Sequence, residues 1–308
     1  MSAPIDLGVA PLPELLERTS FPPAGTSVTC AVSGGADSLA LLVLAVAAGC
    51  EATAVHVDHG LRPGSAREGD LVADVAARLG ARFRAEAVEV APGSNLEARA
   101  RAARSAVLPA DALTGHTAED RVETVLLNLV RGAGPTGAAG IARSPRRPLL
   151  DLRRADTVAV CAAIGVTPFE DPSNADPAFR RNRVRREVLP LLADVAERDV
   201  VAVLARQADL FAEVDALLHE LAGEVDPTSA RALAAAPAAV ARTAIRTWLV
   251  AAGVGDGYVV GADAVARVLA VAQGHHVATE VAGGWRVARS AGRLTVTPPE
   301  PWQDARHD

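Results

Sequence analysis

The sequence predicts an α/β fold: a doubly wound parallel sheet with a helical extension, then a small C-terminal α+β domain. Strand-like and helix-like segments alternate as far as Arg131, a rhythm that calls for a parallel sheet covered on both faces. Three glycine-rich or charged clusters, 33–38, 56–62 and 114–120, fall at the carboxyl ends of the predicted strands, where such sheets bind ligands. From about Asp226 the pattern changes to Ala/Val-rich helices. Short alternating segments around Gly283-Gly284 and Ala291-Gly292 follow, as in antiparallel hairpins.

Taken in order, Val28–Val32 predicts a short apolar strand and Ala36–Ala48 a helix. Residues 51–60 predict a second strand, and Ser65–Leu79 a helix with Leu71, Val72, Val75 and Leu79 on one face. Residues 81–90 are the third strand, Asn95–Val107 a helix and 110–116 the fourth strand. Ala118–Arg131 is a helix with Val122, Val125, Leu126 and Leu129 inward. "GAGPTGAAGIARSPRRP" then reads as a loop that moves or binds. Two helical stretches precede a long bridging helix from about Val195 to Gly223. The expected division is 1–193 for the α/β domain with its helical extension, 194–225 for a linker helix and 226–308 for the small domain.

Bulk properties exclude several function classes. No stretch reaches the ~18 to 20 apolar residues of a membrane helix. The first residues, with Asp6 and Glu14 and no basic opening, do not read as a secretion signal, so a cytoplasmic protein is expected. Cys30, Cys50 and Cys161 form no Cys-x-x-Cys, which argues against a zinc knuckle or a cysteine-held cluster. The net charge of −6 confines any nucleic-acid site to a local basic patch. There is no lysine, so all 31 basic residues are arginine. That rules out a Walker A loop, a Schiff base and a lysyl–nucleotide intermediate.

Within Ser33-Gly34-Gly35-Ala36-Asp37-Ser38 the glycines let backbone N–H groups converge on an anion. The next helix adds its positive end, and the serines add hydroxyls. Asp37 would repel a phosphate there, which makes sense if a Mg²⁺ bridges the carboxylate and a pyrophosphate. His116, Asp120 and Glu123, at i, i+4 and i+7, would share one helical stripe. His56, Asp58 and His59 could contact a nucleoside or hold a metal, though strand alternation puts His59 on the other face. "FRRNRVRREVLP" packs Arg180, Arg181, Arg183, Arg185 and Arg186 around Asn182, an isolated basic patch suited to backbone phosphates. Arg99, Arg101 and Arg104 form a second basic row. At 3 % aromatics the composition argues against a broad stacking platform, so recognition by shape and phosphates is expected.

The loop S-G-G-A-D-S resembles the pyrophosphate loop of the ATP pyrophosphatase, or PP-loop, group. "HVDHGLRPGS", "NLEARARAAR", "TGHTAEDRVETVLLNLVRGAG" and "DPSNADPAFRRNRVRREVLP" follow in the order and spacing of its lysidine synthetase family, over about residues 27 to 192. The chain departs from that pattern at Ser105, Thr117, Glu119 and Arg121. The resemblance implies an adenine nucleotide alpha hydrolase-like, Rossmann-like fold. It also implies ATP-dependent joining of L-lysine to C2 of the wobble cytidine in the CAU-anticodon tRNA(Ile), through an adenylated base. ATP and Mg²⁺ would be cofactors, and a homodimer is among the expected partners. Ser33, Gly34, Gly35, Ala36, Asp37, Ser38, Asp58 and Arg62 would bind nucleotide, Asp37 also carrying Mg²⁺. Asp37, His116, Asp120, Glu123 and Arg131 would be catalytic, with Asp120 or Glu123 holding the incoming lysine and Arg131 steadying the adenylate. Arg101, Arg104, Arg181, Asn182, Arg185 and Arg186 would meet tRNA, helped by the small domain. Three alternatives remain at this point: a PP-loop tRNA thiolase, a metal-dependent phosphoesterase on His56, Asp58, His59 and His116, and a nucleotide-binding module without turnover.

Overall fold

The computed structural model describes residues 4–58, 65–88, 96–169, 176–255 and 260–299. His59 and Arg62 lie outside the described residues, as do the side chains of Arg101 and Arg104. The chain divides into two units, Met1–Leu127 with Gly140–Arg206, and Asn128–Ala139 with Gln207–Asp308. The sequence-based division at 193 and 226 differs from this. The glycine-rich stretch after residue 127 groups with the C-terminal unit, and the second boundary falls within a long helix.

The first unit opens with α1 (Leu12–Leu16), β1 (Ser27–Ala31), α2 (Ala36–Ala47), β2 (Glu51–Asp58), α3 (Ser65–Leu79), β3 (Arg82–Ala87) and α4 (Leu96–Val107). Strands β1, β2 and β3 form a parallel sheet in that order, with Ser27 opposite Glu51 and Thr53 opposite Arg82. Helix α2 is apolar around nearly its whole circumference, and Leu39 to Ala45 are fully buried in the main core. That core also takes Cys30, Val72, Val75, Leu149, Leu152 and Val160.

The predicted fourth strand, 110–116, is reduced to one parallel bridge between Leu113 and Cys30. The Leu113 N–H donates to Thr29 O at 2.7 Å and the Ala31 N–H to Leu113 O at 3.0 Å. The next donor leaves the ladder, because the Thr114 N–H bonds Arg146 O instead. Leu113 nevertheless lies on the side of β1 opposite β2, so the connection order reverses across β1. That reversal opens a crevice beyond the carboxyl end of β1, where this class of sheet takes its ligand.

Helix α5 (Ala118–Val130) follows, then α6 (Pro135–Ala138), α7 (Arg154–Ala163) and α8 (Arg180–Arg183). One π-turn, Val184–Val188, leads into α9 (Leu189–Ala196). The long helix predicted from Val195 is two helices. Glu197 adopts a left-handed conformation (φ 48°) that ends α9, and Asp199 accepts from the Val201 N–H to start α10 (Val200–Gly223). In the second unit, α11 (Ala230–Ala235), α12 (Ala238–Ala251) and α13 (Ala262–Gln273) precede an antiparallel sheet of β4 (Ala278–Val281), β5 (Trp285–Ser290) and β6 (Arg293–Thr297). Ala291 and Gly292 both have positive φ, as the expected tight hairpin requires. Ile245, Leu249, Val265, Val268 and Val287 centre this unit's own core.

Gly115 is the contact on which the crevice turns. A Cβ there would stand 2.4 Å from the Asp37 carbonyl oxygen and 3.2 Å from the Ser38 nitrogen, so no other residue fits without displacing α2. Gly115→Ala is therefore expected to lose about 1–3 kcal/mol of stability through overpacking and to weaken nucleotide binding. Chemical denaturation and ATP-analogue titration measure both, and wild-type values in both would contradict this packing.

Candidate active site

The loop from Ser33 to Ser38 is held by its own atoms. Gly34 has φ +79°, a conformation that glycine takes without penalty. The Ser38 hydroxyl accepts from the Ser33 N–H at 3.0 Å and donates to Gly35 O at 2.9 Å. From outside, the Phe169 N–H donates to Gly34 O. Gly35 caps α2 in an extended conformation, leaving the first N–H groups of that helix at the crevice. The serine hydroxyls were expected as ligand donors; Ser38 instead fastens the loop. A pre-shaped anion nest results.

Asp37, in the first turn of α2, does not stand alone. Oδ1 accepts from the Thr157 hydroxyl, and Oδ2 accepts from Arg154 Nε at 3.4 Å. Burial raises its pKa, only partly opposed by Arg154 and Thr157. Arg154 also reaches Asp120 Oδ1 through Nη2 at 3.2 Å and Glu123 Oε1 through Nη1 at 3.5 Å. One guanidinium thus touches three carboxylates from two motifs far apart in sequence.

Asp120 and Glu123 converge as predicted, but neither faces open solvent. The Glu123 side chain is 0 % exposed, with Arg181 Nε at 2.6 Å and Arg185 Nε at 2.7 Å. Asp120, 12 % exposed, accepts from Arg154, from Arg181 Nη2 at 3.2 Å and from the Thr117 N–H at 2.9 Å. Burial pushes the Asp120 pKa up, but Arg154, Arg181, the Thr117 N–H and His116 outweigh it and hold the carboxyl below its ordinary value. Removing one partner from such a buried pair typically costs ~3–5 kcal/mol.

His116 is not on the shared helical stripe. Helix α5 begins at Ala118, and Thr117 precedes it with its N–H on Asp120, half of a capping box. His116 instead pairs its Nδ1 with Thr114 Oγ1 at 2.9 Å. Arg131 lies in the stretch grouped with the second unit and is exposed. Asp58 closes β2, where its carbonyl accepts from the Val88 N–H. His56 is buried with Nδ1 3.0 Å from Val32 O, which fixes a proton on Nδ1 because a carbonyl only accepts. Among the described residues no three His, Cys, Asp or Glu side chains are grouped to hold a metal.

The basic patch splits by face. Arg181 and Arg185, expected to meet tRNA, turn inward onto Glu123, because a buried carboxylate attracts the nearest forks. Asn182 is also buried, its amide donating to Asp176 O. Arg180 and Arg186 stay exposed, and Arg183 pairs with exposed Glu187.

Sequence reasoning missed Arg153, Arg154 and Thr157. A local signal was present: two arginines at the start of α7 oppose the helix dipole, so they need a tertiary anion. Glu119 supplies one, taking Arg153 Nε at 2.7 Å and the Arg154 N–H at 3.0 Å. The departing residues Thr117, Glu119 and Arg121 are thus structural here; Arg121 is 1 % exposed. Burial raises the Cys30 and Cys161 thiols to about 12, which leaves them protonated and non-nucleophilic at neutral pH.

Three comparisons bear on this geometry. The family model of the PP-loop domain matches residues 14–192. A tRNA(Ile)-lysidine synthase from Nocardia farcinica is 45 % identical over 249 residues, covering 76 % of this chain and 78 % of that one. One from Salinispora arenicola is 41 % identical over 315 residues, covering 92 % and 94 %. Among solved structures, a U34-tRNA thiolase from Methanococcus maripaludis superposes with a TM-score of 0.55 at 13 % identity, covering 66 % of this chain and 77 % of that one. At that identity the likeness concerns the fold.

The two aspartates should respond oppositely to loss of charge. A folded pKa raised by burial means that ionised Asp37 costs stability at neutral pH, a cost that disappears as pH falls through the folded pKa. A depressed folded pKa means that Asp120 contributes stability above the unfolded value, lost as pH falls through the folded one. Asp37→Asn should therefore raise the Tm at pH 7 and Asp120→Asn lower it. Equal shifts of one sign in thermal melts would contradict these environments.

Proposed function

The chain belongs to the tRNA(Ile)-lysidine synthase family of PP-loop enzymes, and from that premise we propose how its residues divide the work of ATP-dependent lysidine formation. The observation that carries the reading is the meeting of the 33–38 anion nest with the 114–123 cluster at the sheet's reversal point. In the first step O2 of the wobble cytidine attacks the α-phosphorus of ATP, forming a P–O bond while pyrophosphate departs. In the second the lysine ε-amine, having given a proton to solvent, attacks C2; the C2–O2 bond breaks, AMP leaves with the base's oxygen, and the new nitrogen releases a second proton to solvent.

The N–H groups of Gly34 to Asp37 take the departing pyrophosphate, since that of Ser38 is bonded to Gly35 O. Asp37 suits a Mg²⁺ that arrives with the nucleotide, since Mg²⁺ is usually held by one or two carboxylates plus substrate phosphates. When bound, that ion neutralises charge on the leaving group. Asp120, rather than the fully buried Glu123, receives the ammonium of lysine, because its side chain retains 12 % exposure where that of Glu123 has none. Glu123 acts on Arg181 and Arg185, holding both forks in place. His116 meets phosphate or base, Asp58 and Arg62 the nucleoside, and Arg131 the adenylate. Protonated, buried thiols give no support to a thiolase.

The CAU-anticodon tRNA(Ile) is bound mainly through backbone phosphates by outward arginines, with the C-terminal unit assisting. No described helix is long and apolar enough to cross a membrane, which fits a cytoplasmic enzyme. A homodimer is compatible with this reading.

Mixing purified protein with labelled lysine, ATP and unmodified tRNA(Ile) should transfer label into RNA. No transfer, with a known synthase active in parallel, would refute the assignment. Arg180→Ala and Arg186→Ala should each weaken tRNA binding and reduce the salt slope by roughly 0.7–0.9, leaving ATP affinity unchanged. A salt slope equal to wild type would remove both from the tRNA contact.

A further inference from the structure

Arg154 has no assigned role, yet it stands where the two halves of the site meet. Its Nε lies 3.4 Å from Asp37 on the anion loop, and its other nitrogens lie 3.2 Å from Asp120 and 3.5 Å from Glu123. These contacts are long beside the 2.6 and 2.7 Å bonds by which Arg181 and Arg185 grip Glu123. A guanidinium divided among three acids at such distances is not saturated by any one of them. Its side chain is 27 % exposed, so it remains open to the crevice.

The charge pattern indicates what it exchanges for. The chain has no lysine, so the cation facing a phosphate chain must be arginine or a metal. Arg181 and Arg185 are committed to Glu123. The position of Arg154 at the N-terminus of α7 is unfavourable to the helix dipole and is retained through Glu119 binding its N–H. Such a local conflict with a tertiary justification is typical of a working residue.

We infer that Arg154 is a catalytic residue that leaves Asp37 when nucleotide enters and places its guanidinium on the α-phosphate, between the pyrophosphate nest and the Asp120 side of the site. Negative charge grows on that phosphate as the base attacks, and a fork already aimed there stabilises it. Until then the same group neutralises Asp37, which would otherwise repel the triphosphate. This inference rests on the adenylation reading above.

The test uses full-length protein and a non-hydrolysable ATP analogue. In EDTA, where no divalent ion contributes, Arg154→Gln should weaken analogue binding about tenfold or more. Its tRNA-dependent release of pyrophosphate in Mg²⁺ should fall roughly 10²–10³-fold, with partial recovery on adding guanidinium ion at low millimolar concentration. Arg154→Lys should recover most of the affinity but little of the rate, since it keeps the charge and loses the fork. Exposed Arg242→Gln, which carries the same charge change, should bind the analogue as wild type does. Should Arg154→Gln fail to fold, the wild type supplies the decision: phenylglyoxal labelling at Arg154, read by peptide mass, should fall when the analogue binds. Analogue affinity and pyrophosphate release within twofold of wild type, or labelling indifferent to nucleotide, would overturn the role of Arg154. Absence of pyrophosphate release by the wild type would instead sink the adenylation reading, while the EDTA titration would still judge the contact.

Discussion

Glu123 and Asp120 are two neighbouring carboxylates on one turn of α5, and the site around them is organised by the need to answer their charge. An ionised carboxylate removed from water is costly unless cations and hydrogen bonds replace its hydration. Arg181 and Arg185 come from the helical turn and π-turn near residue 184, and Arg154 from the start of α7. Electrostatics thus ties α5, α7 and the arginine-rich segment together. Around them a small apolar cluster of Ala118, Val122, Val184, Leu189, Val200 and Val201 excludes water and strengthens those attractions. Because Arg154 extends the set to Asp37, the loop that receives phosphate shares one charge balance with the acids opposite it. Three carboxylates face three guanidiniums. In the proposed reaction an incoming phosphate or ammonium would replace an existing partner, which lowers the cost of desolvating each ligand.

Backbone geometry puts these groups within reach of one another. The chain reverses its direction of sheet growth at β1, so Ser33–Ser38 and Thr114–Glu123 leave the sheet side by side. Gly115 lets the second segment lie directly against the first turn of α2, and Ser38 closes the loop with bonds to Ser33 and Gly35. Much of this is rigid because α2 is buried nearly all round, so its N-terminus cannot drift from the crevice. The functional loop is therefore an extension of the best-packed helix in its unit.

Where expectation and structure part, the cause is a partner distant in sequence in most cases and a local helix cap in the others. Arginine density around residue 183 correctly marked a basic segment, but not that alternate members turn inward, since the attracting Glu123 is about sixty residues away. The i, i+4, i+7 spacing joined Asp120 and Glu123, but His116 reaches Asp120 from ahead of the helix rather than along its stripe, because Thr117 is the cap. The fourth strand had strand-like composition, yet Thr114 found a better acceptor in Arg146 O than in the sheet. Arg153 and Arg154 were legible only as an anomaly, positive charge at a positive helix end, whose resolution required Glu119, Asp37 and Asp120.

By itself the sequence determined the alternating α/β order, the anion loop after the first strand and the hairpins of the second unit. Those features depend on short-range causes: apolar periodicity, glycine at positive φ and helix ends. Tertiary structure alone decided which carboxylate is fully buried, which arginines face solvent and which cation stands between loop and acids. Around the site, burial and pairing depend on neighbours such as Thr157, which reaches Asp37 from 120 residues away, and no local pattern carries that information.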